Sequence, residues 1–210
     1  MKAIRNLLVG FGISFIGSVP LGYLNVVGFE MYTEHGFSRL LPYLLGVICE
    51  EAIVIYLTLI FAKKLSEGGK WVKAIEIASI VFLLVLAAYF FFRSSDESVE
   101  RPAYLDYPPF LSGAILNAIN FMQLPFWIGW NLYLINAKYI FIGKNLKFLY
   151  LFGALAGTFV GMLVFILSLH YLSDSISGLS HILITIIIPV IFLGMALFQS
   201  YKFYLKYLTD

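Results

Sequence analysis

The chain has 210 residues, 61% of them hydrophobic and 12% charged, with a mean hydropathy of +0.91. No soluble domain of that length has interior enough to hide so much apolar side chain, so a lipid environment is implied. A formal net charge of +2, scattered along the chain, excludes a basic surface of the kind that binds nucleic acid.

A helix needs about 20 mostly apolar residues to cross a hydrocarbon layer about 30 Å thick. Six stretches meet that length, running from Leu7 to Phe29, Leu40 to Ala62, Ala74 to Phe92, Phe110 to Leu134, Phe148 to Tyr171 and Ile182 to Tyr201. Lys2 and Arg5 precede the first stretch as in a signal peptide, but no small-residue cleavage site follows, so a retained span is expected. With the N-terminus in the cytoplasm, Lys2, Arg5, Lys63, Lys64, Lys70, Lys73, Lys138, Lys144, Lys147, Lys202 and Lys206 fall inside, against Arg39, Arg93 and Arg101 outside. That asymmetry predicts a multi-pass protein of the cell (inner) membrane with both termini cytoplasmic. The fold class expected is all-α, a polytopic integral membrane protein with six transmembrane helices.

The polar segment Ser94 to Pro109 carries Asp96, Glu97, Glu100 and Asp106 and divides the chain. Residues 1–93 hold three spans, residues 94–109 form an extracytoplasmic connector, and residues 110–210 hold three more. Sliding the sequence by 107 places sets Gly36, Tyr43, Leu44 and Gly46 against Gly143, Tyr150, Leu151 and Gly153. An odd number of spans per half turns the second copy upside down, which predicts two inverted three-helix repeats with a site near the midplane. Chance is the competing reading, because Gly, Leu and Tyr are abundant in this chain.

The first span contains Gly17-Ser18-Val19-Pro20-Leu21-Gly22 and then Asn25, where a continuous helix should run. Proline lacks a backbone donor and collides with the preceding turn, and glycine lets the chain leave helical geometry, so a break is predicted here. The fourth span carries Asn117, Asn120, Gln123, Pro125 and Asn131 along an otherwise apolar segment. Setting Gly12 against Gly113 puts Pro20 opposite Phe121, so the second interruption relies more on amides. Paired interruptions point to a solute site, whereas proline kinks and Asn contacts in helix packing are the structural alternative.

Glu50 and Glu51 fall near the middle of the second span. A charge at that depth costs about 2.5 kcal/mol or more, which makes an intramembrane carboxylate a functional candidate. The two point about 100° apart on a helix and need different partners. By the repeat, Glu50 matches Gly157 on the small-residue stripe of Gly153, Gly157 and Gly161, and Glu51 matches Thr158 on the adjacent face. No basic residue lies deep in a span to pair with either acid, so at least one is expected to exchange a proton. The alternative is a permanently protonated Glu that donates a hydrogen bond between helices.

Cys49 is the single cysteine, which excludes an internal disulfide and disfavours a thiol relay; a small packing residue is expected there. His35, His170 and His181 are too dispersed to form a metal cluster. Ser14, Ser18, Thr58, Thr158 and Ser168 are expected to bond back to their own helices. No phosphate-binding loop or nucleophile elbow occurs, so neither an enzyme nor a bound cofactor is expected.

With Pro20, Gly22 and Asn25 in the first span, Gly46 and Glu51 in the second, and Asn117 and Asn120 in the fourth, the sequence resembles the LysE family of small lysine and threonine exporters. Family members carry Pro-Gly-Pro-x-Asn in the first helix, Gly followed five places later by Asp or Glu in the second, and Asn-Pro-Lys in the fourth. Here Leu21 and Tyr23 stand where the family has prolines, and Asn120 is followed by Phe121 and Met122. The resemblance implies export of amino acids or related small metabolites driven by protons, and the missing lysine leaves the solute's charge open.

The leading expectation is a secondary exporter in the lipid bilayer whose partners are a small solute and protons. Asn25, Asn120 and Gln123 orient the solute, Glu51 carries the coupling proton, and Glu50, Pro20, Gly22, Asn117 and Thr158 complete the site. The competing readings are a divalent-cation exporter of the same superfamily and a non-transporting membrane scaffold. Whether copies join as a homo-oligomer is left open.

Overall fold

Long runs of Leu, Ile, Val and Phe form helices because a helix pairs its backbone groups within one segment, whatever solvent surrounds it. In the computed structural model, residues 2–18, 22–67, 69–93, 107–143, 145–175 and 186–208 are described, and among them the regular elements are helical, with no strand. They are α1 (Lys2–Ser18), α2 (Tyr23–His35), α3 (Phe37–Glu67), α4 (Gly69–Arg93), α5 (Pro109–Ala118), α6 (Gln123–Asn136), α7 (Leu146–Ser175) and α8 (Ile188–Tyr207).

Two stretches, Phe37–Ala62 of α3 and Leu146–Ser173 of α7, are long and apolar enough to cross a membrane. The number rises to four when α1 with α2, and α5 with α6, are each taken as one bent span. By length and composition, two to four spans can be drawn from the described helices, fewer than the six expected; α4 and α8 do not enter the count. The connector expected at 94–109 and the start of the sixth stretch at Ile182 fall mostly outside the described residues. Large apolar side chains face outward, with Ile16, Phe92, Phe152 and Leu197 all more than three-fifths exposed. An apolar exterior on apolar helices is compatible with membrane insertion.

Helix α1 lies along α7, and α5 lies along α3. Both contacts depend on glycine. A side chain at Gly153 or Gly157 would collide with the carbonyls of Leu7 or Phe11, and one at Gly46 would collide with that of Phe110. From the opposite side, Gly10 abuts the Tyr150 carbonyl and Gly113 abuts that of Tyr43. Small residues at these points let the backbones touch, which maximises packing where water provides no driving force. Gly10 is thus the residue that makes toward Tyr150 the contact that Gly113 makes toward Tyr43. Gly12, matched to Gly113 from the sequence, has no neighbour within 4 Å.

Buried tyrosines tie the long helices to the second segment of each bent pair. Tyr43 donates to the Leu24 carbonyl at 2.8 Å and Tyr150 to Asn131 Oδ1 at 2.7 Å. Asn131 in turn donates to Thr58 Oγ1 at 3.0 Å. At one end of the bundle Asn6 binds the α6–α7 connection, donating to the carbonyls of Phe141 (2.9 Å) and Leu146 (2.8 Å) and accepting from the Phe141 amide (3.1 Å). Helix α8 packs on α4, where Lys206 pairs with Glu76 at 2.7 Å. Cys49, expected as a packing residue, is exposed on the outside of α3.

Candidate functional site

A helix that stops inside an apolar bundle leaves carbonyls without amide partners, and each must find a donor or incur a penalty of several kcal/mol. Such stops occur twice. The axes of α1 and α2 differ by 78°, and those of α5 and α6 by 70°. At the second break the Asn117 carbonyl accepts from Gln123 Nε2 at 2.8 Å, the Phe121 carbonyl from Ser79 Oγ at 3.2 Å, and the Leu116 carbonyl from the Tyr23 hydroxyl. At the first break the Ser18 carbonyl accepts from Asn25 Nδ2 at 2.8 Å. Asn25 and Gln123 therefore do the same work, one amide folding back from the start of each second segment onto the end of the first. Pro125 lies in the first turn of α6, where its missing N–H is not needed, so it sets the start of that segment instead of kinking it.

Residues flanking both breaks, Ser18 and Gly22 at the first and Asn120 and Met122 at the second, line a cavity of about 300 Å³. Of the expected site residues, Glu51, Asn25, Gly22, Asn117, Asn120, Gln123 and Thr158 line it. Glu50 is not among its lining residues, and Pro20 lies outside the described residues. Gly22 caps α2 in extended geometry (φ −86°, ψ 153°) and opens the chain toward this space. The rest of the wall is mostly apolar, with Phe82, Phe126, Trp127 and Phe192 among its aromatic members and Ser14 and Ser18 as its hydroxyls.

The two adjacent carboxylates diverge as helical geometry requires. Glu51 Oε1 accepts from Trp127 Nε1 at 3.3 Å, while Oε2 is buried with no hydrogen-bond partner. Glu50 Oε2 accepts from Gln123 Nε2 at 3.2 Å, on the side where α3 meets α6. Thr158, on α7, lines the cavity with its hydroxyl near the Glu51 carboxylate and shares a 2.5 Å hydrogen bond with Ser14. This is a correction to the expectation for Ser14 and Thr158, which bridge α1 and α7; Ser18 and Thr58 do bond back, to Ser14 and Val54. Asn117 is also held across helices, donating to the Val47 carbonyl at 3.0 Å.

Three residues important to this site, and Asn6 at the end of the bundle, carried no clear signal in the sequence. Trp127, Tyr23 and Ser79 look like membrane aromatics and a stray hydroxyl until the fold points them at Glu51 and at two freed carbonyls. Asn6 follows Arg5 in the leading basic segment and is fully buried. An isolated polar residue on the apolar side of a helix was the only available hint.

Among the described residues, no three His, Cys, Asp or Glu side chains converge as metal ligands would. His170 packs edge-on against Tyr32, with ring centroids 4.9 Å apart. Set against models of known families, curated proteins and solved structures, the chain matches none of them. The geometry therefore carries the functional reading: an acid and several amides enclosed between two interrupted helices.

Proposed function

We propose that the protein is a secondary transporter that exports amino acids or related small metabolites across the cell membrane in exchange for protons. One observation carries this reading: Glu51 presents a carboxylate oxygen without a partner to a cavity that lies between two helix breaks. An enclosed acid of this kind is expensive to keep for packing alone and suits a group that alternates between proton and solute. Asn25, Asn120 and Gln123 then orient the solute, and Glu51 carries the proton.

The reading includes six spans in two inverted halves, with α4 and α8 as the third and sixth. The paired glycine contacts support it, because α3 with α5 and α7 with α1 repeat one packing solution. Rocking one three-helix unit against the other would expose the cavity to each side in turn. The motifs shared with the LysE family agree with this assignment. Glu51→Gln tests it, since the amide keeps the shape and cannot ionise. Purified protein in vesicles should lose proton-coupled export with this variant, and export at the wild-type rate would remove Glu51 from the mechanism.

A further inference from the structure

The cavity wall has donors and acceptors, and several of its donors are already used. Asn25 Nδ2 is bonded to Ser18, Asn117 Nδ2 to Val47, and Gln123 Nε2 to Asn117 and Glu50. Trp127 Nε1 is bonded to Glu51, and the Tyr23 hydroxyl to Leu116. Two buried acceptors remain open, Glu51 Oε2 and Gln123 Oε1. The orientation of the Gln123 amide is forced, because its nitrogen faces two acceptors, the Asn117 carbonyl and the Glu50 carboxylate. Gln123 is 8% exposed, so its free oxygen has no bulk water to satisfy it. Among the described residues that line the cavity there is no Lys, Arg or His.

A ligand that fills the two open acceptors must bring donors, and with no cation in the lining a positive charge suits Glu51 where a carboxylate would find no counter-charge. Its remaining bulk must be apolar, to match Phe82, Leu86, Phe126, Met162 and Phe192. The space equals about ten liquid waters at ~30 Å³ each, too large for a bare metal ion and enough for a small organic molecule. Aromatic faces around a carboxylate also favour an ammonium group. Resting on the transporter reading above, we propose that the solute is a primary ammonium ion with an apolar or aromatic body, and that its NH₃⁺ group bridges Glu51 Oε2 and Gln123 Oε1. Charge balances in the exchange: the protonated acid releases one proton as one monocation binds to the carboxylate.

Binding and flux are measured separately on the purified protein. In detergent, Trp fluorescence or calorimetry compares 2-phenylethylammonium with neutral 2-phenylethanol and anionic 3-phenylpropionate, three probes of similar size. The ammonium should bind at least about tenfold more tightly than either, a difference of about 1.4 kcal/mol. Glu51→Gln should erase that preference, and Gln123→Leu should reduce it. Equal binding of the three probes by the wild-type protein, or no binding of the ammonium, overturns the proposal without reliance on any variant. In vesicles with entrapped pH dye, ammonium binding without proton movement would leave the site assignment standing and sink the transporter reading. Proton-coupled movement of L-phenylalanine or 3-phenylpropionate, with no response to the ammonium, would do the reverse.

Discussion

Trp127 Nε1 donates to Glu51 Oε1 at 3.3 Å, so the one carboxylate that faces the cavity is held by an indole from the second segment of a broken helix. The bond links α3 to α6 at the level of the break and fixes which oxygen remains open. A hydrogen bond to a charged group contributes about 1.5–3 kcal/mol, so Trp127→Phe should lower solute affinity by roughly tenfold while the ring still fills its pocket. Binding measured beside thermal unfolding in detergent separates the two effects, and unchanged binding would remove the indole from the site.

Gln123 should matter to stability as well as to binding. Gln123→Ala removes one donor from the Asn117 carbonyl, which keeps the Asn120 amide at 2.9 Å, so the cost should be about 0.5–1.5 kcal/mol. Gln123→Glu should be worse, because it replaces the donor and sets another acid beside Glu50. Reversible unfolding in mixed micelles reads both, with Gln123→Glu expected to unfold first.

Glycine substitutions should divide by position. Gly46→Ala and Gly153→Ala drive a methyl group into a backbone carbonyl that cannot rotate away, so each should destabilise the bundle by about 1–3 kcal/mol or more. Gly12→Ala meets open space and gains up to about 1 kcal/mol of helix propensity. Melting temperatures of the three variants should fall, fall and hold or rise. A uniform response would argue against the close α1–α7 and α3–α5 contacts.

Asn6→Ala removes three hydrogen bonds to residues 141–146 at once. At about 0.5–1.5 kcal/mol each, the loss should free the α6–α7 connection before it unfolds the bundle. Faster labelling of a cysteine placed at Ile142 would report it, with Leu8→Ala on the exposed side of α1 as the control expected to leave labelling unchanged.

The Lys206–Glu76 pair should be minor and insensitive to pH near neutrality. Partial desolvation works against the Lys206 ammonium, but Glu76 and Tyr207 outweigh it and hold its pKa above the ordinary value. A group raised in the folded state stabilises fully below its unfolded pKa of about 10.4 and loses that contribution as pH rises through the folded value. Lys206 is about half exposed, so solvent screening limits the coupling to about 1 kcal/mol or less in a double-mutant cycle. Stability lost below pH 9 on Lys206→Gln relative to wild type, beyond that amount, would contradict this.

Much of the site was legible in the sequence because lipid and buried interiors make polar residues conspicuous. Asn25, Glu51, Asn117, Asn120, Gln123 and Thr158 stood out against apolar neighbours, and all of them line the cavity. The breaks could be read from Gly22 and from the cluster of amides, although the register between halves could not. Gly12 and Gly10 are equivalent in composition and spacing, and only contact with Tyr150 tells them apart.

The sequence by itself pointed to long apolar helices with two interruptions among them, since hydropathy and backbone chemistry are local properties. Tertiary structure decided which carboxylate faces the cavity, which amides are consumed by freed carbonyls, and that Trp127, Ser79 and Tyr23 supply the missing donors. Those assignments depend on distances between segments far apart in the chain, such as the 76 positions from Glu51 to Trp127. A difference of about 100° in where a side chain points separates the acid that lines the cavity from the one that does not, and only the assembled helices fix that angle.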